Sequence, residues 1–502
     1  MEINYNTLNN YIKLLKDANL LIETNFNEDK KIDYISYDSK NIKENTLFIC
    51  KGAGFKEEYL LNSLEEGILA YISEVKYLDS KLDNTIYIIV NDVRKALALV
   101  SNYYFNYPWK NLKMVGITGT KGKTTTTYFL NSILEEYLKN TGNTHAFLSS
   151  LENSNGKETK VSKLTTPESL ELQKMLYESV NNNAKYLIME VSSQAIKLDR
   201  IANIIYDIGV FLNISEDHIS PIEHKTFDEY LSYKLKLFEV SKNIIVNKDI
   251  DYLNTVLNAA KKQNKNLLTY SIEDKTADIH INKIEKIDKM WSFEVVTPKY
   301  TTTFELSLPG KFNVSNALAA ISVAYLLDIP TSYIKNALKN VKVSGRMELY
   351  SNPSNTIHAI VDYAHNKLSF ENIFKAIHQE YPNSNIISVF GSTGNKAYIR
   401  RKDLGLVAGK NSKLCILTAD DPDREEIKNI CKDIATYVEE SNGKYVIIED
   451  RKEAVKEAVN LAKPGDVILL AGKGSETTQK VNQKLEPYES DSVLVQKYLK
   501  NK

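Results

Sequence analysis

Residues 115–130 read VGITGTKGKTTTTYFL, and the fold of the chain turns on how this stretch is built. A β-branched apolar run leads into three glycines, and a helix-forming segment, TTTYFLNSILEEYLK, follows. Strand, glycine loop and helix in that order set backbone N–H groups and a positive helix end where phosphate oxygens can lie. Lys123 adds a mobile charge for β- and γ-phosphates, and Thr124 a hydroxyl suited to Mg²⁺. The full G-x-x-x-x-G-K-[ST] spacing fails, since it would need glycine at Ile117. A shorter G-x-x-G-K-T stands here, from Gly119 to Thr124. The expected nucleotide contacts are Gly119, Thr120, Lys121, Gly122, Lys123, Thr124 and Thr125.

On either side, short β-branched runs alternate with longer amphipathic stretches, which indicates an α/β architecture. A first unit, residues 1–110, ends in the amphipathic segment DVRKALALVSNYYFN. Tyr107-Pro108 breaks it, because proline disfavours a helical residue before it. A second unit, 111–344, holds the strands LKMVGIT, KYLIMEV, IYDIGVFLNI and NIIVN, apolar enough for a mostly parallel sheet buried on both faces. The pattern restarts in a third unit, 345–502, with TIHAIVDYAH, NIISVFGSTGN, SKLCILTADDPD and GDVILLAGKGSE. Each is a strand followed at once by small or polar residues, as at the carboxyl ends of strands where α/β sheets bind ligands.

Lys plus Arg and Asp plus Glu each total 64, a balance that speaks against a dedicated nucleic-acid or membrane-surface protein. Cys50, Cys415 and Cys431 lack metal-ligand spacing and are expected to be reduced core residues. No apolar run approaches the roughly 18–20 residues of a membrane span, and MEINYNTLNNYIKLL has no signal-peptide pattern. A cytoplasmic monomer is expected.

Mg²⁺ would need a carboxylate opposite the loop. Glu190, at the end of KYLIME, is a candidate; a surface glutamate is the alternative. Asp217-His218 follows another strand end, although a lone histidine is more often structural than a ligand.

GTKGKTT, EVSSQ, NISEDH with a lysine sixteen residues after its histidine, LPGKFNVSNALAA, SGRME and VDYAH occur in the order seen in the Mur ligases. YDSK, LTTP and AGKGSE resemble the branch of that family that adds the third amino acid of the cell-wall peptide. The resemblance spans nearly the whole chain, and the short phosphate loop is that family's form. It implies an N-terminal domain for the UDP end of the substrate, a central P-loop-type ATPase domain, and a C-terminal Rossmann-like domain that closes on the amino acid. By this likeness Ser39 would touch the UDP portion. Thr165, Thr166, Ser192, Gln194 and Arg200 would hold the UDP-muramoyl dipeptide. Asn313 and Asn316 would lie along adenine, and Arg346 and Asp362 would reach ATP. Glu190 and His218 would stand at two Mg²⁺ ions together with Lys234, which the family carbamylates. Taken alone, Lys234 in YLSYKLKLF reads as a solvated helix residue. The implied reaction activates the D-glutamyl γ-carboxylate of UDP-N-acetylmuramoyl-L-Ala-D-Glu with ATP, through an acyl phosphate, and joins it to a diamino acid.

For the amino acid, Lys396, Asp420, Asp421, Asp423, Arg424, Gly472 and Glu476 are the implied contacts. Members that take meso-diaminopimelate carry D-N-P-R, whose arginine grips the second carboxylate. This chain has DDPD, with Arg424 one place later, and Asp423 would repel a distal carboxylate. L-lysine is favoured. Ornithine, lanthionine, or meso-diaminopimelate held by a shifted Arg424 are the alternatives. A folylpolyglutamate synthetase would lack the YDSK and LTTP stretches. A GTPase would need N-K-x-D, and VNKD at 246–249 is one residue short. A non-catalytic relative would be expected to lose Lys123, Glu190 or Lys234, and all three are present.

Overall fold

The computed structural model describes residues 3, 6–52, 54–216, 219, 223–287, 290–395 and 398–502. Two compact units emerge: Met1–His280 with Ala319–Ile334, and Ile281–Leu318 with Lys335–Lys502.

The first unit begins with a five-stranded sheet in the order Leu21–Thr24, Ile86–Val90, Ile68–Ser73, Thr46–Ile49, Tyr34–Ser36. All but Leu21–Thr24 run parallel. Alternation divides each strand between two cores, as a period of two requires. Leu47, Ile49, Ala70 and Ile72 face the helices Leu8–Asp17 and Val93–Tyr104, while Phe48 and Tyr71 join Leu60 of Glu57–Glu65 on the other side. Asp92 caps Val93–Tyr104 by accepting from the N–H groups of Arg94 and Lys95. The chain then turns through Tyr107 at φ 51° into a single 3₁₀ turn, Pro108–Asn111, so the break falls where the sequence reading put it.

Next comes a parallel sheet in the order Asn266–Ser271, Ser241–Asn247, Tyr206–Phe211, Lys113–Thr118, Ala184–Glu190, Thr144–Leu148. Strand order reverses at Lys113–Thr118: the chain first builds to one side of it, and from Tyr206 onward to the other. The loop after this strand therefore opens into the crevice where α/β sheets bind ligands. Gly116 lets the layers close here, since a Cβ would stand 2.9 Å from the Tyr206 ring. Both faces are covered, by Met114, Leu187, Met189 and Tyr206 in one cluster and Phe211, Ile244 and Val246 in another. Such double burial explains the unbroken apolar runs of these strands.

The second unit carries the antiparallel strand pair Met290–Val296 and Thr301–Leu306, and a six-stranded sheet. That sheet runs Glu348–Ser351, His358–Asp362, Val467–Ala471, Ile386–Phe390, Leu414–Leu417, Tyr445–Ile447, and all but the first are parallel. A buried ion pair ties the last helix to it. Arg451 donates through Nε and Nη2 to the two Asp491 carboxylate oxygens at 2.9 and 2.7 Å, and through Nη1 and Nη2 to the Ala419 and Ala471 carbonyls. With Arg451 1% and Asp491 0% exposed, Arg451→Met strands a carboxylate in the core. The expected cost is about 3–5 kcal/mol of unfolding free energy by denaturant titration.

Cys50, Cys415 and Cys431 are free and buried. Among the described residues no helix is long and apolar enough to cross a membrane.

Candidate active site: a phosphate loop and a carboxylate-lined cavity

Strand Lys113–Thr118 hands over to helix Lys123–Leu138 through Gly119–Gly122. Gly122 opens the helix at φ 83°, a conformation that costs glycine little and any side chain more. Asn213, beyond the neighbouring strand Tyr206–Phe211, braces the loop. Its Oδ1 accepts from Lys121 N at 2.8 Å, its Nδ2 donates to Lys121 O, and its carbonyl accepts from Thr120 N. Helix geometry leaves the first-turn N–H groups, those of Lys123 to Thr125, without intrahelical acceptors. They form an anion-binding end of the helix.

Two lysines meet at one oxygen. Lys123 Nζ donates to the Gly119 carbonyl at 2.9 Å, and so does Lys234 Nζ, also at 2.9 Å. Lys234 comes from the last turn of Phe227–Leu235, a helix capped by Thr226. It is only 2% exposed and lies over the Tyr230 ring. The solvated-face reading of this residue is therefore wrong.

Glu190 is fully buried, not a surface glutamate. Its strand pairs with the loop's own strand, Glu190 opposite Ile117, which puts both strand ends side by side. Oε1 accepts from Ser150 N at 2.8 Å and Oε2 from Ser150 Oγ at 3.1 Å, so each oxygen keeps a lone pair for a cation. Thr166 donates to the Glu190 carbonyl and accepts from Ser192 N, while Thr165 Oγ1 lies 3.1 Å from Ser150 Oγ. Arg200 reaches the Thr166 carbonyl with Nη1. Thr165, Thr166, Ser192, Arg200 and Glu190 thus form one connected patch. Gln194 sits in the short helix Ser193–Lys197, which Ser192 caps.

Glu168 lies beside this patch. Its carboxylate meets Arg200 Nη2 at 2.8 Å, Lys51 Nζ at 2.9 Å and Arg94 Nη1 at 3.8 Å. Burial pushes its pKa up, but Lys51, Arg200 and Arg94 outweigh burial and hold it below the ordinary value. Lys51 also stands over the Tyr37 ring, two residues before Ser39, and the Tyr37 hydroxyl donates to Glu171.

In the second unit the carboxyl ends of adjacent strands surround a cavity of about 140 Å³. Asp420, Asp421, Gly472 and Glu476 line it, joined by Tyr363, His365, Ser392, Thr393 and Arg400, which the sequence reading passed over. The signals were there: Tyr363 and His365 belong to the quoted VDYAH, and Arg400 to the segment from which only Lys396 was taken. Gly472 is required, since a Cβ there would meet the Asp420 carboxylate at 2.3 Å. Lys473, 1% exposed, bridges Asp421 and Glu476. Burial works against its charge, yet Asp420, Glu476 and Asp421 raise its pKa overall. Asp420 and Glu476 are themselves pushed up by burial, against the pull of Lys473. Three carboxylates line the cavity against one guanidinium, that of Arg400.

Asp423 does not line the cavity. It sits at φ 52°, and its carboxylate takes Lys480 Nζ at 3.0 Å and Gln483 N at 2.7 Å from the hairpin Thr478–Pro487. Arg424 is exposed, its N–H on Asn395 Oδ1, and does not line the cavity either. Asp362 holds Met347 N and Ala364 N, and Arg346 lies over the Tyr363 ring. Asn313 and Asn316 bond to each other, and Asn313 to the Pro309 carbonyl. His218 and Lys396 lie outside the described residues.

Residues 117–324 match the Mur ligase middle domain, and residues 345–474 the Mur ligase glutamate ligase domain. The chain is 38% identical over 479 residues to the UDP-N-acetylmuramoyl-L-alanyl-D-glutamate--L-lysine ligase of Enterococcus faecalis, covering 94% of this chain and 92% of that one. A UDP-N-acetylmuramoyl-L-alanyl-D-glutamate--2,6-diaminopimelate ligase shares the fold at TM-score 0.65 and 24% identity, over 94% of this chain and 95% of that one. MurF ligase of Thermotoga maritima, solved with ADP, does so at TM-score 0.60 and 18% identity, over 93% and 97%.

Proposed function

This chain belongs to the Mur ligase family, and on that footing we propose that it adds L-lysine to the D-glutamyl γ-carboxylate of UDP-N-acetylmuramoyl-L-Ala-D-Glu, driven by ATP, in peptidoglycan precursor synthesis. The observation that carries the choice of amino acid is the identity with the L-lysine ligases over almost the whole chain. The carboxylate-rich cavity is in keeping with it. We retain three domains, 1–110, 111–344 and 345–502, and a cytoplasmic monomer as the working picture.

Joining a carboxylate to an amine in water is uphill, so the carboxylate is first activated. The γ-phosphoryl group of ATP passes to the D-glutamyl oxygen, giving an acyl phosphate and ADP. Such transfer needs positioning and charge neutralisation more than covalent help. The first-turn N–H groups cradle the phosphates, and Lys123 leaves the Gly119 carbonyl to follow the charge on the γ-phosphate. Thr165, Thr166 and Arg200, anchored to the Glu190 strand end, hold the acceptor carboxylate. The amine of lysine then attacks the acyl carbon, and phosphate leaves the tetrahedral intermediate.

Mg²⁺ fits the donor set. Thr124 and Glu190 would hold it, in keeping with an ion that takes one or two carboxylates plus substrate phosphates. Bound there, it neutralises phosphate charge. Two ammonium groups on one carbonyl oxygen also give a physical reason for carbamylating Lys234. The carbamate removes one positive charge and supplies an anionic oxygen donor. We assign Asn313, Asn316, Arg346 and Asp362 to ATP, and Arg400, Asp420, Asp421 and Glu476 to lysine.

The test is phosphate release and product mass with ATP, Mg²⁺ and the UDP-dipeptide, each diamino acid offered separately. Lysine is expected to give the tripeptide product; preferential use of meso-diaminopimelate would reject the amino-acid assignment. A pH dependence follows from the cavity. Asp420 and Glu476 have raised pKa values and hold protons above the usual carboxylate range. Their ionised forms attract an ammonium, so KM for lysine should fall as pH rises through the range in which they lose their protons, until lysine itself deprotonates near pH 10. Glu476→Gln should flatten that profile.

A further inference from the structure

We infer that Glu168 is a positioning residue that couples seating of the UDP end of the substrate to orientation of the Thr165-Thr166 loop. This rests on the proposed function, since it takes Ser39 and Thr165-Thr166 as contacts to the two ends of one substrate.

Glu168 occupies the N-cap position of helix Ser169–Asn181, yet its side chain accepts no bond from that helix. It is committed to cations from elsewhere. Lys51 follows the strand Thr46–Ile49, at the carboxyl edge of the N-terminal sheet, and Arg94 lies in the first turn of Val93–Tyr104. Arg200 lies beyond the short helix Ser193–Lys197 of the central sheet. A single carboxylate, at 13% side-chain exposure, joins these three segments.

The contacts continue in both directions. On one side Lys51 stands 4.0 Å from the Tyr37 ring centroid, and Tyr37 enters the turn that carries Ser39. Tyr37 is pinned in turn, its hydroxyl 2.6 Å from Glu171 Oε1 on the helix that Glu168 precedes. On the other side Arg200, held by Glu168 through Nη2, uses Nη1 on the Thr166 carbonyl, and Thr166 Oγ1 donates to the Glu190 carbonyl. A substrate that shifts Ser39 and Tyr37 thereby moves Lys51, and Glu168 passes the shift to Arg200 and the acceptor loop. A double-mutant cycle measures this coupling.

The experiment compares wild type, Glu168→Gln, Lys51→Met and the double variant, using the full chain with ATP, Mg²⁺, lysine and UDP-N-acetylmuramoyl-L-Ala-D-Glu. Glu168→Gln is expected to raise KM for the UDP-dipeptide about tenfold or more, leaving KM for ATP and for lysine within about twofold. Lys51→Met should raise the same KM, and the double variant should be no worse than Glu168→Gln. Unchanged KM for the UDP-dipeptide, equal rises for all three substrates, or multiplying effects would overturn the inference. Should Glu168→Gln fail to fold, Lys51→Met decides alone: no selective KM rise rejects the coupling. A wild type that does not use the UDP-dipeptide would instead reject the proposed function.

Discussion

Lys123→Met is expected to abolish measurable ligation, with a fall of about 10³-fold in kcat and the fold intact. In the structure the Lys123 ammonium does little for stability. It rests on the Gly119 and Thr120 carbonyls, and Lys234 already donates to the first of these. Methionine keeps the length of the side chain, so the helix start and the Asn213 brace on Lys121 persist. What disappears is the loop ammonium assigned to follow the γ-phosphate charge. The matching measurements are phosphate release under saturating substrates and a thermal melt. Melting temperatures within about 2 °C alongside the rate loss would place the defect in phosphoryl transfer. A rate within about tenfold of wild type would mean that the loop N–H groups and Mg²⁺ suffice, and Lys123 would lose its assigned role.

Some of the site could be read from the chain because local rules wrote it there. A strand, a glycine turn and a helix in sequence produce a phosphate loop without help from distant residues, and Gly122 at φ 83° shows why glycine is needed. The Tyr107-Pro108 break follows equally from local sterics. Lys234 could not be read this way. Its helix is short, and tertiary contacts such as the Gly119 carbonyl and the Tyr230 ring accompany a lysine 98% removed from solvent. Glu168 was passed over because its three cations come from residues 51, 94 and 200, separations that no periodicity encodes. Arg400 and Lys473 share that fate. Their roles depend on which strand ends the six-stranded sheet brings together, and its order, with Val467–Ala471 between His358–Asp362 and Ile386–Phe390, is not sequential.

Asp423 shows how a sound charge argument can be attached to the wrong atom. An aspartate in place of the arginine of D-N-P-R supplies no grip for a second carboxylate. The further step, that Asp423 itself repels a distal carboxylate, does not fit its surroundings, because Lys480 and Gln483 N already neutralise it. Discrimination is better placed on Glu476 and Asp421, which line the cavity and share Lys473. The two assignments separate sharply. Glu476→Gln should lower kcat/KM for lysine by about 10²-fold, on the order of 3 kcal/mol, as when one partner of a buried charge pair is truncated. Asp423→Asn loses only a pair whose lysine is 42% exposed, so lysine kcat/KM should stay within about threefold of wild type. Neither variant should gain much with meso-diaminopimelate, since neither supplies the missing guanidinium. The opposite ranking, with Asp423→Asn crippled and Glu476→Gln near wild type, would return selection to the DDPD loop and require Asp423 to leave Lys480 when the amino acid binds.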